Sequence, residues 1–347
     1  MRKLCSLLLV LILLSACVKT NYNNGELNIF MPGEYISDEV VEQFEYEYGV
    51  KVKITLFDTN ESMYTKLLTN TSSYDIILPS DYMIERLINE DMLQKLDKSK
   101  LPCLQYLYDG VKNMDYDPNN DYSVPYFWGN GGIVYDSTIV DSKDVETEGW
   151  AVLKNTKYKG QIYMYDSIRD IFMVAFKDLG YSMGTNDPKE INDAYNWLVD
   201  VAKTMAPAYA TDECIDGLAY GEKAMGFMYS GDAADVMKEN PDMGFYMPEE
   251  GTNYWFDGFV ISKDCKNTDM ANKFINYMIS DKNAFLNTQE VGYLTTNTVA
   301  AAKARKKEFK NNNAYSMRVG PKDECFNYQD TKTKEMFSNY WTKVKAK

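Results

Sequence analysis

The feature that most constrains this chain is the alternation of short apolar runs with segments of helical periodicity. Leu27-Asn28-Ile29-Phe30-Met31 reads as a strand. Asp38 to Tyr48 reads as a helix with Val40, Val41, Phe44 and Tyr48 on its apolar side, and Val50 to Leu56 as the next strand. The pattern repeats with a helix near Glu61 to Leu68, a nearly continuous apolar strand at Tyr74-Asp75-Ile76-Ile77-Leu78, and a helix opening at Ser80 or Asp81. Apolar strands alternating with helices predict an α/β layer with helices on both faces of a sheet. A second set of units begins after Tyr126-Phe127-Trp128-Gly129. There Gln161 to Tyr165 predicts a strand feeding a helix from Ser167 to Leu179, and Pro188 stands in the first turn of a helix reaching Ala202. Ala224 to Tyr229, Met243 to Met247 and Tyr254 to Ser262 predict further strands, and helices dominate from Asp269. No internal repeat appears, and 347 residues are enough for two lobes with separate cores.

The first residues predict a different fate for the N-terminus. Arg2 and Lys3 precede an apolar run from Leu4 to Leu14, followed by Leu14-Ser15-Ala16-Cys17. An apolar run of about ten residues is too short to span a bilayer but suits a signal-peptide core. A small residue directly before cysteine forms a lipobox. Residues 1–16 are therefore expected to be removed, Cys17 to carry the lipid, and 17–25 to form a polar tether. The protein is expected to be exported and held at the outer face of a membrane or in the periplasm. Loss of Arg2 and Lys3 would take the formal net charge from -14 to -16. Such a surface repels nucleic acid and attracts cations.

The chain contains no histidine. His-based triads and HExxH zinc sites are excluded, and no CxxC or other metal spacing occurs. Neither cofactor nor metal is expected. Cys103, Cys214, Cys265 and Cys325 lie far apart and could pair in three ways or remain buried thiols.

Aromatic residues beside carboxylates mark the candidate site. Among 28 tyrosines and 5 tryptophans, the sharpest cluster is Tyr254-Trp255-Phe256-Asp257-Gly258. On a strand Trp255 and Asp257 share one side, offering an aromatic face and an acceptor to one ligand. An ammonium group suits that pair: cation–π attraction contributes about 0.5 to 2 kcal/mol and a hydrogen bond to a charged group about 1.5 to 3 kcal/mol. A second cluster, Tyr165-Asp166-Ser167-Ile168-Arg169-Asp170, lies at a strand-to-helix turn, where Asp166 or Ser167 can cap the helix. Tyr82, Tyr229 and Tyr293 each follow a predicted strand or turn.

Together these segments resemble the spermidine/putrescine-binding proteins of polyamine ABC importers. The match runs from about Glu26 to Trp341 through GEYI, ESMYTKLLTN, YDIILPSDYMIERL, LQKLDKSKL, DPNNDYSVPYFWG, KYKGQI, RDIF, LGYSMGTNDPKEI, YWFDGFVIS, VGYLTTN and NYWTKVK. The resemblance implies two α/β lobes of the type II periplasmic-binding-protein fold, a two-strand hinge, and a cleft that closes on an extended polyamine. It implies lobe boundaries near 26–127 with 256–300, and 128–255 with 301–347. It places Tyr35, Ser80 and Tyr82 on first-lobe cleft positions, with Glu34 adjacent. Asp170 matches a glutamate that meets a terminal ammonium, Thr211 a hydroxyl residue, and Tyr229 a usual tryptophan, while Trp255, Asp257 and Tyr293 match identically. Pro32 replaces a tryptophan at the cleft entrance, Ser167 replaces an aspartate that meets the central amine, and Phe326 or Asn327 replaces a glutamine. With these departures putrescine, met at its ends by Asp257 and Asp170, is expected to bind at least as tightly as spermidine, and Asp166 is the acid placed to substitute at the centre.

The resulting expectation is a monomeric, lipid-anchored binding protein that delivers a polyamine to ABC importer permease subunits and performs no catalysis. A rival inside the binding class is another organic cation, thiamine-like or an amino-acid cation. A rival outside it is an extracellular carbohydrate-active enzyme, which also combines paired carboxylates with aromatic platforms.

Overall fold

Apolar residues on both faces of a strand pack only where helices cover both sides of the sheet, and that requirement organises this molecule. The computed structural model describes residues 22–33, 35–70 and 74–347. The expected signal segment 1–16, Cys17 and Glu34 lie outside the described residues. The strands are β1 (Glu26–Pro32), β2 (Lys51–Phe57), β3 (Ile76–Ile77), β4 (Leu93–Gln94), β5 (Ser123–Asp136), β6 (Ile162–Tyr165), β7 (Ala208–Ala210), β8 (Met225–Tyr229), β9 (Met243–Tyr246), β10 (Tyr254–Ser262) and β11 (Leu294–Thr295). The helices are α1 (Asp38–Tyr48), α2 (Asn60–Asn70), α3 (Asp81–Asn89), α4 (Ser142–Glu148), α5 (Ile168–Asp178), α6 (Pro188–Met205), α7 (Glu213–Ala219), α8 (Ser230–Glu239), α9 (Thr268–Met278), α10 (Asp281–Val291), α11 (Thr298–Lys307) and α12 (Thr331–Lys345).

Strand order is β2-β1-β3-β10-β5-β8-β6-β7, with β4 on β10 and β9 and β11 on β5. β2, β1 and β3 run parallel, with Ile29 between Ile54 and Ile76. β10 enters antiparallel, pairing Val260 with Ile77. The first half of β5 pairs with β10 up to Asn130, and from Gly131 onward β5 pairs with β8 and β9. This change of partners divides an α/β layer built on β1 to β4, β10 and β11 from one built on β6 to β9, the expected two-lobe architecture. The first packs Leu27, Ile29, Phe44, Ile76, Phe259 and Phe274. The second buries Trp150, Ile162, Phe172 and Phe227. The expected lobe boundary at 300 falls within α11.

β5, 14 residues long, was not among the strands the sequence predicts. Its SVPYFWGNGGIVYD run carries a proline and three glycines, which ordinarily break a strand pattern. Here a Cβ on Gly131 would overlap Phe227 and one on Gly132 would overlap Phe245. Pro125 sits opposite Gly258 where the β5–β10 register shifts between Asp257 and Gly258. The extra residue is Tyr126 of β5, which has no partner on β10, and Pro125, lacking an N–H, stands beside this break in the ladder. The expected five-residue strand at Tyr74–Leu78 contracts to Ile76–Ile77, although Asp75 N–H and Leu78 N–H still donate to Asn28 and Phe30 carbonyls of β1.

Candidate ligand-binding site

The bulge in β5 lies opposite Asp257 of β10, which stands beside the turn from β3 into α3, where Ser80 pairs with it in an isolated bridge. Bulges re-aim side chains, and this one brings a carboxylate that is only 6% exposed against Tyr35, whose hydroxyl donates to Asp257 Oδ2 at 2.6 Å. Burial pushes the Asp257 carboxyl up, opposed by hydrogen bonds from Ser80 and Tyr35 and by the nearby Arg169 charge. Asp81, the first residue of α3, is 1% exposed and pushed up to about 6 by burial. That shift persists although the Cys325 thiol donates to Asp81 Oδ2 at 2.8 Å and Tyr82 N–H donates to Oδ1 at 2.6 Å.

Four tyrosines surround this point, and each donates its hydroxyl to a carboxylate: Tyr35 to Asp257, Tyr82 to Glu61 at 3.0 Å, Tyr293 to Asp232 at 2.7 Å, and Tyr229 to Asp170. Burial, followed by a neighbouring carboxylate, holds the Tyr35, Tyr229 and Tyr293 hydroxyls protonated well above their usual range. A phenol polarised by an anion has an electron-richer ring, which strengthens attraction for a cation over its face. Trp255 meets Tyr229 and Tyr293 edge to face at centroid distances of 5.8 and 5.3 Å. Two glycines make room for these rings: a Cβ on Gly129 would press on the Trp255 indole, and one on Gly231 would overlap the Tyr293 ring.

The side chains enclose a cavity of about 180 Å³ lined by Tyr35, Ser80, Asp81, Tyr82, Arg169, Tyr229, Trp255, Asp257, Tyr293 and Phe326. Tyr82, Arg169 and Tyr229 also line a wider groove of about 790 Å³, where Asp166, Ser167, Asp170, Thr211 and Asn327 lie. Tyr35, Ser80, Tyr82, Asp166, Ser167, Asp170, Thr211, Tyr229, Trp255, Asp257, Tyr293, Phe326 and Asn327 therefore line the cavity or the groove, whereas Pro32 lines neither. Ser167 is the N-cap of α5 but makes no side-chain capping bond. Asp170 is buried at 2% exposure beneath Tyr229. Asp166 accepts from Trp341 Nε1 and Lys345 Nζ, each at 2.9 Å, and so is committed to α12 rather than to the centre of the site. Thr211 bonds Glu213 through its own N–H and hydroxyl.

Sequence reasoning missed Asp81, Arg169 and the carboxylate Asp232. Asp81 and Arg169 stand inside matched segments, but nothing local signals that the chain later brings Cys325 and Phe326 against them. The four thiols Cys103, Cys214, Cys265 and Cys325 are unpaired. Among the described residues no group of three His, Cys, Asp or Glu side chains is placed to hold a metal ion. The cavity presents ring faces and fixed acceptors, the complement of a cation rich in N–H donors.

Comparison with known proteins agrees with this geometry. Residues 39–316 match the family of bacterial extracellular solute-binding proteins. A spermidine/putrescine-binding periplasmic protein of Escherichia coli K12 is 36% identical over 279 residues, covering 80% of this chain and 79% of the relative. A putrescine-binding periplasmic protein of Pseudomonas aeruginosa, SpuD, is 29% identical over 343 residues, covering 93% of each. Among solved structures, the spermidine/putrescine ABC transporter substrate-binding protein PotD from Streptococcus pneumoniae superposes with a TM-score of 0.83 at 34% identity, covering 93% of this chain and 99% of the other. With most of its length matched by the family and its fold shared with a relative above 30% identity, this chain belongs to the bacterial extracellular solute-binding proteins.

Proposed function

We propose that this protein captures a polyamine of the putrescine and spermidine class outside the cytoplasm and hands it to the permease of an ABC importer. The observation that carries the reading is Asp257, a buried carboxylate fixed by Tyr35 and Ser80 and ringed by Tyr82, Tyr229, Trp255 and Tyr293. An ammonium entering there exchanges water for aromatic faces worth about 0.5 to 2 kcal/mol each and a charge-assisted bond worth about 1.5 to 3 kcal/mol. The names of the relatives point to the same ligands. The ligand sites we assign are Tyr35, Ser80, Tyr82, Asp170, Tyr229, Trp255, Asp257 and Tyr293, with Ser167, Thr211, Phe326 and Asn327 along the groove. The protein acts as a carrier: its acids are held by tyrosine hydroxyls as acceptors, and no substrate bond need be broken. Lobe closure turns on the point where β5 changes partners, and ligand contacts to both lobes shift the population toward the closed form. The lipobox at Cys17 supplies the anchor, and one copy with one cavity suffices for capture.

A thermal-shift panel of putrescine, cadaverine, spermidine, spermine and thiamine tests the reading. A ligand at a hundredfold excess over its Kd adds about 2.7 kcal/mol to stability, raising the melting temperature by a few degrees. Putrescine or spermidine should produce that rise. A rise with thiamine and none with any polyamine would assign the site to another organic cation.

A further inference from the structure

Between Glu324 and Asp330 the chain leaves the second layer, touches the first, and returns. Glu324 is fixed to the second layer by the Lys177 ammonium, which donates to Oε1 at 2.6 Å, and by the Ser182 hydroxyl, which donates to Oε2 at 2.7 Å. Asp330 accepts from Thr333 N–H at 2.8 Å and so caps α12, whose Phe337 packs on Phe172 of α5 at 4.7 Å between ring centroids. Between these two anchors residues 325–329 grip α3 of the first layer. The Cys325 thiol donates to Asp81, Tyr328 N–H donates to Glu85 Oε2 at 3.0 Å, and the Arg86 guanidinium lies 5.0 Å from the centroid of the Tyr328 ring. Lys334 Nζ of α12 lies 3.7 Å from the same centroid, so a cation from each layer holds the Tyr328 ring. Phe326, which lies between the grips at Cys325 and Tyr328, lines the cavity, and Asn327 lines the groove, whereas Glu85 and Tyr328 line neither. The stretch that ties the layers together is therefore the stretch that walls the ligand.

We propose that Glu85 and Tyr328 are positioning residues for capture: they clasp residues 325–329 against α3, hold Phe326 and Asn327 against a bound amine, and part before it leaves. The inference rests on the polyamine reading above. Both anchors of the segment stay with the second layer, so opening the cleft draws it away from α3 and breaks the Tyr328–Glu85 hydrogen bond and the contact of Arg86 with the ring. That bond runs from an N–H to a carboxylate, the stronger kind of hydrogen bond. A ligand enters the open form before the clasp is made and leaves only after it is broken. The clasp therefore slows dissociation and leaves association unchanged.

The test is stopped-flow kinetics of putrescine and of spermidine, followed by intrinsic fluorescence, on the wild-type protein and on Glu85→Ala, Glu85→Gln, Tyr328→Ala and Tyr328→Phe. Glu85→Ala and Tyr328→Ala should each raise the dissociation rate about tenfold while the association rate stays at the wild-type value. Glu85→Gln keeps an acceptor and Tyr328→Phe keeps the ring, so both should restore slow release. Merely structural residues would lower the melting temperature of the free protein and leave the dissociation rate unchanged, which would overturn the proposal. A loss confined to the association rate would overturn it as well, because the clasp would then act on entry. If Glu85→Ala does not fold, Tyr328→Ala decides by the same two rates. Failure of wild type to bind either amine would instead remove the polyamine reading, and this proposal with it.

Discussion

A carboxylate taken out of water must be compensated, and Asp257 is compensated by two hydroxyls and by the Arg169 guanidinium acting through space, while keeping an acceptor face toward the cavity. Replacing it by Asn removes the charge with little change of shape. Asp257→Asn should weaken polyamine binding by roughly 1.5 to 3 kcal/mol, about ten- to more than a hundredfold, as read by calorimetry; unchanged affinity would take Asp257 out of the site. Asp81 predicts a pH dependence with opposite signs for stability and binding. Its folded value of about 6 lies above the ordinary 3.8, so the folded state holds the proton more tightly. Its contribution to stability is fully present below about pH 3.8 and is lost as pH rises through about 6. Acidification from pH 7 to 5 should therefore relieve an electrostatic cost at Asp81 in the free protein while removing a negative charge that attracts the ligand. The melting-temperature rise given by putrescine should shrink over that interval more in the wild type than the same rise does in Asp81→Asn; equal shrinkage would contradict the assignment. Trp255 and Asp257 were legible as a pair because strand periodicity is a local property. Asp81 and Arg169 were not, because their roles depend on residues that reach them only through the C-terminal segment.

At the scale of elements, the segment DPNNDYSVPY shows why a run of turn residues precedes the longest strand. Asp117, 2% exposed, accepts from the backbone N–H of Asp121 at 2.7 Å and of Ser123 at 2.9 Å, and from the Ser123 hydroxyl at 2.8 Å. Asn120, at φ 50°, offers its Oδ1 to Asn113 N–H. The carboxylate thus organises the loop that aims β5 at β10, and so positions the bulge that presents Asp257. Asp117→Ala would leave several buried donors without partners and should destabilise the protein by roughly 2 to 4 kcal/mol in chemical denaturation. A loss under about 0.5 kcal/mol would show that the loop holds its shape without it. The helices and the parallel strands were legible from periodicity, which acts over a few residues. β5 was hidden because its Gly129, Gly131, Gly132 and Pro125 answer to partners across the sheet, Trp255, Phe227, Phe245 and Gly258.

Over the whole molecule the site is shared between the two layers. Tyr293, beside β11, donates to Asp232 of α8 at 2.7 Å, and Arg169 of α5 reaches Tyr82 of α3. The C-terminal segment adds a third tie, with Tyr328 N–H donating to Glu85 of α3 at 3.0 Å. These contacts link both layers around one cavity, as capture by closure requires. The proposed attachment would be a separate property, carried by Cys17. Cys17→Ser should leave melting temperature and polyamine affinity unchanged while moving the exported protein from the membrane to the soluble fraction, and a wild-type protein already wholly soluble after export would contradict the anchor. The two-lobe class was legible in the alternation of elements, whereas the meeting of Tyr82, Arg169 and Phe326 depends on how the lobes and the C-terminal segment come together. The most direct measurement of the central claim is a crystal structure of the protein grown with putrescine. The account predicts one linear amine in the cavity, with an ammonium nitrogen within hydrogen-bond distance of Asp257 and its chain against Trp255 and Tyr229. An amine bound elsewhere, or a cavity with no amine at saturating putrescine, would contradict it.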